Sequence, residues 1–260
     1  MKVPDSNDWI RTASDQVFRS VGLAAKRDLQ KDPSGTQISQ LVMQAQQLTD
    51  SIIRETVEYG PKDRRPACAE GCSACCHLHV VAHPMEVLAA ADFLCQIKTS
   101  EELAEIQQRI VGHLEQTNDL DAEARRSIRP ACPLLNDGRC EIYPVRPVSC
   151  RGWNSLDRSV CDADLADPSL KVATPVNLGQ YVLAGRVTEG LAAASHSQRL
   201  ESRPIDFVRG LQIALKDSQN CAREWRAGSD LFSAAVNDTV FPGEPDPDEE
   251  DARMTLWKSL

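Results

Sequence analysis

Apolar residues recur at helical spacing through most of the chain. Trp9, Ala13, Val17 and Val21 return every four residues and predict an amphipathic helix. "KDPSGT" (31–36) breaks it, and Ser34 followed by Gln37 reads as a capping box. Ile38, Leu41, Val42, Ala45, Leu48 and Ile52 then form one stripe, so residues 1–60 read as a helical hairpin whose role is packing. Beyond a short β-prone piece, "HLHVVA", His83 closes the start of a helix that Pro84 opens and that runs to about Ile97. Thr99 and Glu102 make a second capping box, with Leu103, Ile106, Ile110 and Leu114 as the apolar face that follows. Further on, Thr174 and Pro175 open a helix through Leu178, Val182 and Leu191. Pro204 opens another, with Phe207, Val208, Leu211 and Leu215 inward. No internal repeat is visible.

These elements predict a mainly α fold: a helical bundle around a small cysteine-rich metal-binding core with a short β-hairpin. The expected divisions are an N-terminal helical hairpin (1–60), a cysteine-cluster domain with a helical insert (61–165), C-terminal helices packed on it (166–235) and an acidic Pro-rich tail (236–260). In that tail, "PGEPDPDEED" holds six acids and no base, and Met254, Trp257 and Leu260 follow at helical spacing. The tail is the expected contact for a protein partner.

Charge and composition narrow the function. A net charge of −9 disfavours a general nucleic-acid binder. The most apolar run, "VLAAADFL", is interrupted by Asp92 and is too short to span a membrane. The start, "MKVPDSNDWI", has no basic region leading into an apolar one, so no export leader is expected and the cytoplasm is the expected compartment. In that compartment ten cysteines point to metal binding or redox chemistry before disulfides.

Eight of those cysteines cluster. Cys68-x3-Cys72-x2-Cys75-Cys76 is followed by Cys132-x7-Cys140-x9-Cys150, and then by Cys161. The Cys72–Cys75 spacing lets two sulfurs reach one metal, and Gly71 eases the turn. Cys75 and Cys76 are adjacent and point in different directions, which favours a polynuclear cluster or two neighbouring sites. "NDG" (136–138) predicts a tight hairpin with Cys132 and Cys140 near its base. Pro144 and Pro147 are expected to hold the chain extended before Cys150. Six arginines, Arg125, Arg126, Arg129, Arg139, Arg146 and Arg151, face only Asp137 and Glu141 in this stretch. Such a basic island would offset the negative charge of a thiolate-bound metal, with Arg146 and Arg151 as the expected cofactor-binding residues.

"CAEGCSACC" with "CPLLNDGRCEIYPVRPVSCRG" resembles the YkgJ-type cysteine-cluster family of zinc- or iron-chelating domains. The likeness covers residues 68–152. It implies a metal or iron–sulfur site and carries over Cys68, Cys72, Cys75, Cys76, Cys132, Cys140 and Cys150, with Cys161 outside the strongest pattern. Flagellin lysine N-methylases hold a similar cluster, which by analogy keeps an iron–sulfur enzyme, redox or protein-modifying, as the alternative.

Zinc and an iron–sulfur cluster are both open as cofactor. Cys68, Cys72 and Cys75 match the radical-SAM spacing, but Ala74 stands where those enzymes usually place an aromatic residue, and no β/α barrel pattern is present. No βαβ pattern accompanies a thioredoxin-like pair, and no phosphate loop or Ser–His–Asp set is visible. His77 and His79 would share a face in a strand, as a ligand or a general base. Cys95 and Cys221 are expected as small buried hydrophobes.

Overall fold

The computed structural model describes residues 8–118 and 120–236. Among them are ten α-helices and two small antiparallel sheets of two strands each, the mainly α architecture with a short hairpin that the apolar spacing predicts. The tail stretch 242–251, with Met254, Trp257 and Leu260, lies outside the described residues.

Two long helices come first, α1 (Asp8–Lys31) and α2 (Ile38–Tyr59). The stripe of α2 is buried at Ile38, Leu41, Val42, Ala45 and Ile52, whereas Leu48 is exposed. The Ser34–Gln37 capping box does not form. Asp32 takes its place: its carboxylate accepts the Thr36 and Gln37 N–H groups at 3.2 and 2.7 Å.

The centre of the molecule is α3 (Pro84–Ile97), which begins and ends where its sequence predicts. It follows strand β1 (Val81–Ala82) and is buried at nearly every position from Pro84 to Ala91. Its alanines, Ala89, Ala90 and Ala91, are fully buried, so neighbouring backbones approach closely. Asp92, which interrupts the apolar run, accepts from Ser39 at 2.6 Å and sits where α3 meets α2. Helix α4 (Ser100–Thr117) carries the Thr99–Glu102 capping box as expected and buries Ile106, Ile110 and Leu114. After α5 (Ala122–Ile128) come β2 (Leu135–Asn136) and β3 (Arg139–Cys140), then α6 (Val148–Gly152) and α7 (Arg158–Ala166).

Helix α8 (Leu178–Ser197) lies along α1 and touches α2 and α6. Strand β4 (Ile205–Asp206) pairs antiparallel with β1, placing Val81 opposite Asp206, and leads into α9 (Phe207–Ala214) and α10 (Ser218–Arg226). Both late helices start three residues beyond the proline expected to open them. Asn177 and Asp206 supply the side-chain caps, accepting from the Gln180 and Arg209 N–H groups, and the prolines only precede the true starts. Helix α9 buries Phe207, Val208 and Leu211 as its spacing predicts. No described helix is long and apolar enough to cross a membrane.

Candidate metal centre

The first cysteine segment leaves α2 and is pinned at its start: the Ala67 N–H donates to the Ser155 carbonyl at 2.7 Å. Gly71 adopts φ 80°, the left-handed conformation its turn needs, and the Cys72 N–H closes that turn on Ala69 at 3.1 Å. Cys75 and Cys76 then sit together in a 3₁₀ turn, Ala74–His77.

The second segment begins against that turn. The Cys132 N–H donates to the Cys76 carbonyl at 2.8 Å, so the helical insert folds out and returns the chain to the first cysteines. Asp137 and Gly138 both take positive φ (47° and 74°), the tight turn predicted from "NDG". Its register sets Leu135 opposite Cys140, and the Leu135 N–H donates to the Cys132 carbonyl at 2.9 Å. Both thiols thus share the base of the hairpin. The chain beyond is not extended throughout: Pro144 lies in a 3₁₀ turn, Tyr143–Val145, and Cys150 lies inside α6. Cys161 lies in α7, which packs on the 3₁₀ turn holding Cys75.

All ten cysteines are free thiols. Burial pushes the Cys132 thiol up to about 11, opposed by a hydrogen bond from the Leu134 backbone. Burial also pushes Cys140 and Cys150 up, and Cys140 receives the Ile142 backbone as donor. In both cases the amide two residues after the cysteine serves its sulfur. Cys75 and Cys76 hydrogen-bond to each other, which raises the Cys75 thiol and lowers that of Cys76. Burial raises Cys68 and Cys161; Ser155 opposes both, through its backbone toward Cys68 and its side chain toward Cys161.

This donor set fits a thiophilic metal. Burial holds most of these sulfurs protonated, and a cation replacing the protons would remove that cost, while the backbone N–H groups favour the thiolate form. As placed, no three His, Cys, Asp or Glu side chains among the described residues form a ligating group, so the thiols are neighbours and not a closed cage.

The arginine island is largely consumed by acids from elsewhere. Arg125 donates to Asp206 at 2.8 Å, and Arg126 and Arg129 both pair with Asp164. Arg151 is buried. It holds Asp50 through two bonds of 2.7 and 2.8 Å and the carbonyls of Tyr143 and Pro144. Arg146 differs. It stacks over the Tyr143 ring at 4.4 Å and has no carboxylate partner among the described residues. Its charge instead favours ionisation of Cys68, Cys75, Cys140 and Cys150.

His77 and His79 do not share a strand face. His77 Nδ1 meets the Arg129 carbonyl at 3.1 Å, and His79 Nε2 meets Asp206 at 3.0 Å. Cys221 is buried as expected, whereas Cys95 is exposed. His83 caps α3 as expected. Glu86 does more than complement a helix end: it is fully buried and accepts the His83 and Val148 N–H groups at 2.8 and 2.7 Å. Ser155, Asp50 and Asp206 also support the centre, and no local spacing marks them in the sequence. A cavity of about 200 Å³ opens beside the thiols, lined by Cys75, Cys161, Trp153, Arg126 and Asp164 among others.

Residues 67–163 match the family model CxxCxxCC, described as a "putative zinc- or iron-chelating domain". This is the family that the cysteine pattern resembles, and the matched segment extends far enough to include Cys161. No curated protein and no solved structure matches the chain.

Proposed function

We propose that this chain is a metal-binding protein whose clustered thiols, Cys68, Cys72, Cys75, Cys76, Cys132, Cys140, Cys150 and Cys161, hold zinc or an iron–sulfur cluster, and that the metal organises the surrounding fold. The observation that carries this reading is the direct hydrogen bond between Cys132 and Cys76, which joins the two cysteine segments backbone to backbone. The amide donors to the sulfurs of Cys132 and Cys140 support it, since such bonds favour bound thiolate. Arg146 supplies a positive charge facing the sulfurs. When bound, the metal would add Lewis acidity as zinc or electron transfer as a cluster.

A second reading, an enzyme acting beside the metal, is favoured by the cavity that Cys75 and Cys161 line. Elemental analysis with a visible spectrum, on protein kept from oxygen, decides between the metals. Iron with sulfide and broad visible absorption marks a cluster, and colourless protein with zinc marks a zinc site. Absence of stoichiometric zinc or iron, with a fold indifferent to chelators, would sink the metal-binding reading.

A further inference from the structure

The cavity beside the Cys75 turn has walls that metal binding leaves unused. Its charged lining residues are Arg126, Arg129 and Asp164, so two guanidinium groups meet one carboxylate and one positive charge is left over. Asp164 accepts from Arg126 at 3.0 Å and also pairs with Arg129. Arg129 is firmly held. Its side chain is 7% exposed, its Nε donates to the Arg126 carbonyl at 3.1 Å, and its own carbonyl meets His77 Nδ1 at 3.1 Å. The φ of Arg129, 42°, is left-handed, a conformation that a residue other than glycine keeps only where its surroundings hold it. Arg126 is the accessible member, with a side chain 42% exposed. Among the described residues its guanidinium makes one bond, through Nη2 to Asp164, which leaves most of its five N–H donors for a ligand. Apolar surface completes the wall. Trp153, Leu165 and Val172 are half-buried and line the same cavity, and Tyr181 of α8 braces the Trp153 ring edge-on at 6.0 Å.

We infer that this cavity binds a small organic acid, with its carboxylate on Arg126 and an aromatic or branched apolar body against Trp153, Leu165 and Val172. The volume of about 200 Å³ is below the roughly 300–1,000 Å³ of sites for drug-sized ligands, which restricts the occupant to a small molecule. A guanidinium fork meets a carboxylate with two parallel bonds. One surplus charge balances a monoanion, whereas the second charge of phosphate would go unmatched. Asp164 competes with the acid for the same guanidinium groups and so sets how tightly it is held. Cys75 and Cys161 line this cavity too, so the acid would lie beside the thiols. The inference rests on the second reading above, an enzyme acting beside the metal, and deepens it by naming the class of molecule that enzyme would take.

The test titrates benzoate, as the probe, into the full chain purified away from oxygen, by calorimetry, with zinc and iron counted in the same preparation. Benzoate should bind once per chain. Benzamide, which keeps the ring without the charge, and phosphate, which keeps charge without the ring, should each bind about tenfold more weakly. Arg126→Gln should weaken benzoate about tenfold, and Val172→Trp, which fills the cavity, should abolish its binding. Asp164→Asn removes the competitor and should tighten benzoate about fivefold. If Asp164→Asn does not fold, Arg126→Gln and Val172→Trp still decide, since both change side chains that solvent reaches. No benzoate binding, equal affinity for benzamide, or full binding by Val172→Trp overturns the assignment. So does tighter binding of phosphate, which would mark an inorganic-anion site, or of acetylphenylalanine, which would mark a site for a protein C-terminus. Benzoate bound by a chain that carries neither zinc nor iron upholds the cavity's ligand class and overturns the enzyme beside a metal. A metal-loaded chain that ignores benzoate overturns the ligand class and leaves metal binding intact.

Discussion

Glu86 receives the Val148 N–H at 2.7 Å with one carboxylate oxygen and the His83 N–H at 2.8 Å with the other. One fully buried side chain thereby fixes the start of α3 to the start of α6, the helix that carries Cys150. Burial pushes the carboxyl up, and the two backbone bonds pull against that shift. Glu86→Ala would strand two buried amides and is expected to cost about 2–4 kcal/mol in chemical unfolding. Glu86→Gln keeps an acceptor and should cost about half as much. Cys150 in the alanine variant should also react faster with a thiol reagent under native conditions. If Glu86→Ala unfolds within about 0.5 kcal/mol of wild type, the strut has no such role.

Arg151 makes a comparable tie on the other side of α6. Its side chain is buried at 4% exposure, whereas its partner Asp50 is half exposed at 50%. Removing the two members should therefore differ in cost. Arg151→Ala leaves the Tyr143 and Pro144 carbonyls without donors and should destabilise by about 3 kcal/mol; Asp50→Ala, at the solvent edge, should cost about 1 kcal/mol. Arg151→Lys should rescue little, because an ammonium lacks the planar fork that spans a carboxylate and two carbonyls. Equal losses for Arg151→Ala and Asp50→Ala in urea titrations would contradict this.

What could be read from the sequence was local. The Pro84 helix start, the Thr99–Glu102 box and the "NDG" turn depend on neighbours within a few residues, and all three form. The Ser34–Gln37 box failed on equally local terms, because Asp32 offers a stronger acceptor to the same amides. What was not legible was long-range. Arg151 pairs with Asp50 in α2, 101 residues away in the chain. Arg125, from the same island, pairs with Asp206 in β4. His79 takes that same aspartate because the β1–β4 pairing brings it close, which no spacing around the histidine encodes. Cysteine spacing exposed the thiols, but which sulfur neighbours which depends on how α7 packs on the Cys75 turn.

Two glycines near the thiols should respond to alanine for different reasons. Gly138 has φ 74° and open space around a built Cβ, so Gly138→Ala carries only backbone strain, about 1 kcal/mol. Gly152, at the end of α6, would put a Cβ only 2.4 Å from that of Ala184 in α8. Gly152→Ala must push the two helices apart and should cost about 2–3 kcal/mol. Ala184→Gly should relieve much of that clash when combined with it, and should relieve nothing in Gly138→Ala. A double-mutant cycle without coupling between positions 152 and 184 would refute the contact.

His83 predicts how stability depends on pH. Its ring is buried at the start of α3, edge-on to Trp225 at 6.4 Å, and its Nδ1 accepts the Met85 N–H at 3.3 Å. Burial lowers its pKa from the ordinary 6.5 to about 3, slightly opposed by the charge of Glu201. The unfolded chain therefore takes up a proton below pH 6.5 that the native fold refuses until about pH 3. Stability carried by the neutral ring is complete above pH 6.5 and drains away as the pH falls toward 3. At about 1.4 kcal/mol per pH unit, the move from pH 7 to pH 5 should cost roughly 2 kcal/mol through this group. Asn caps a helix without titrating, so His83→Asn should lose that much less over the same interval, even if it starts from a lower stability. Acid also competes with any bound metal for the thiols in both proteins, so the deciding quantity is the difference between the two pH dependences in urea unfolding. Parallel curves from pH 7 to pH 5 would show that His83 is not the group refusing the proton.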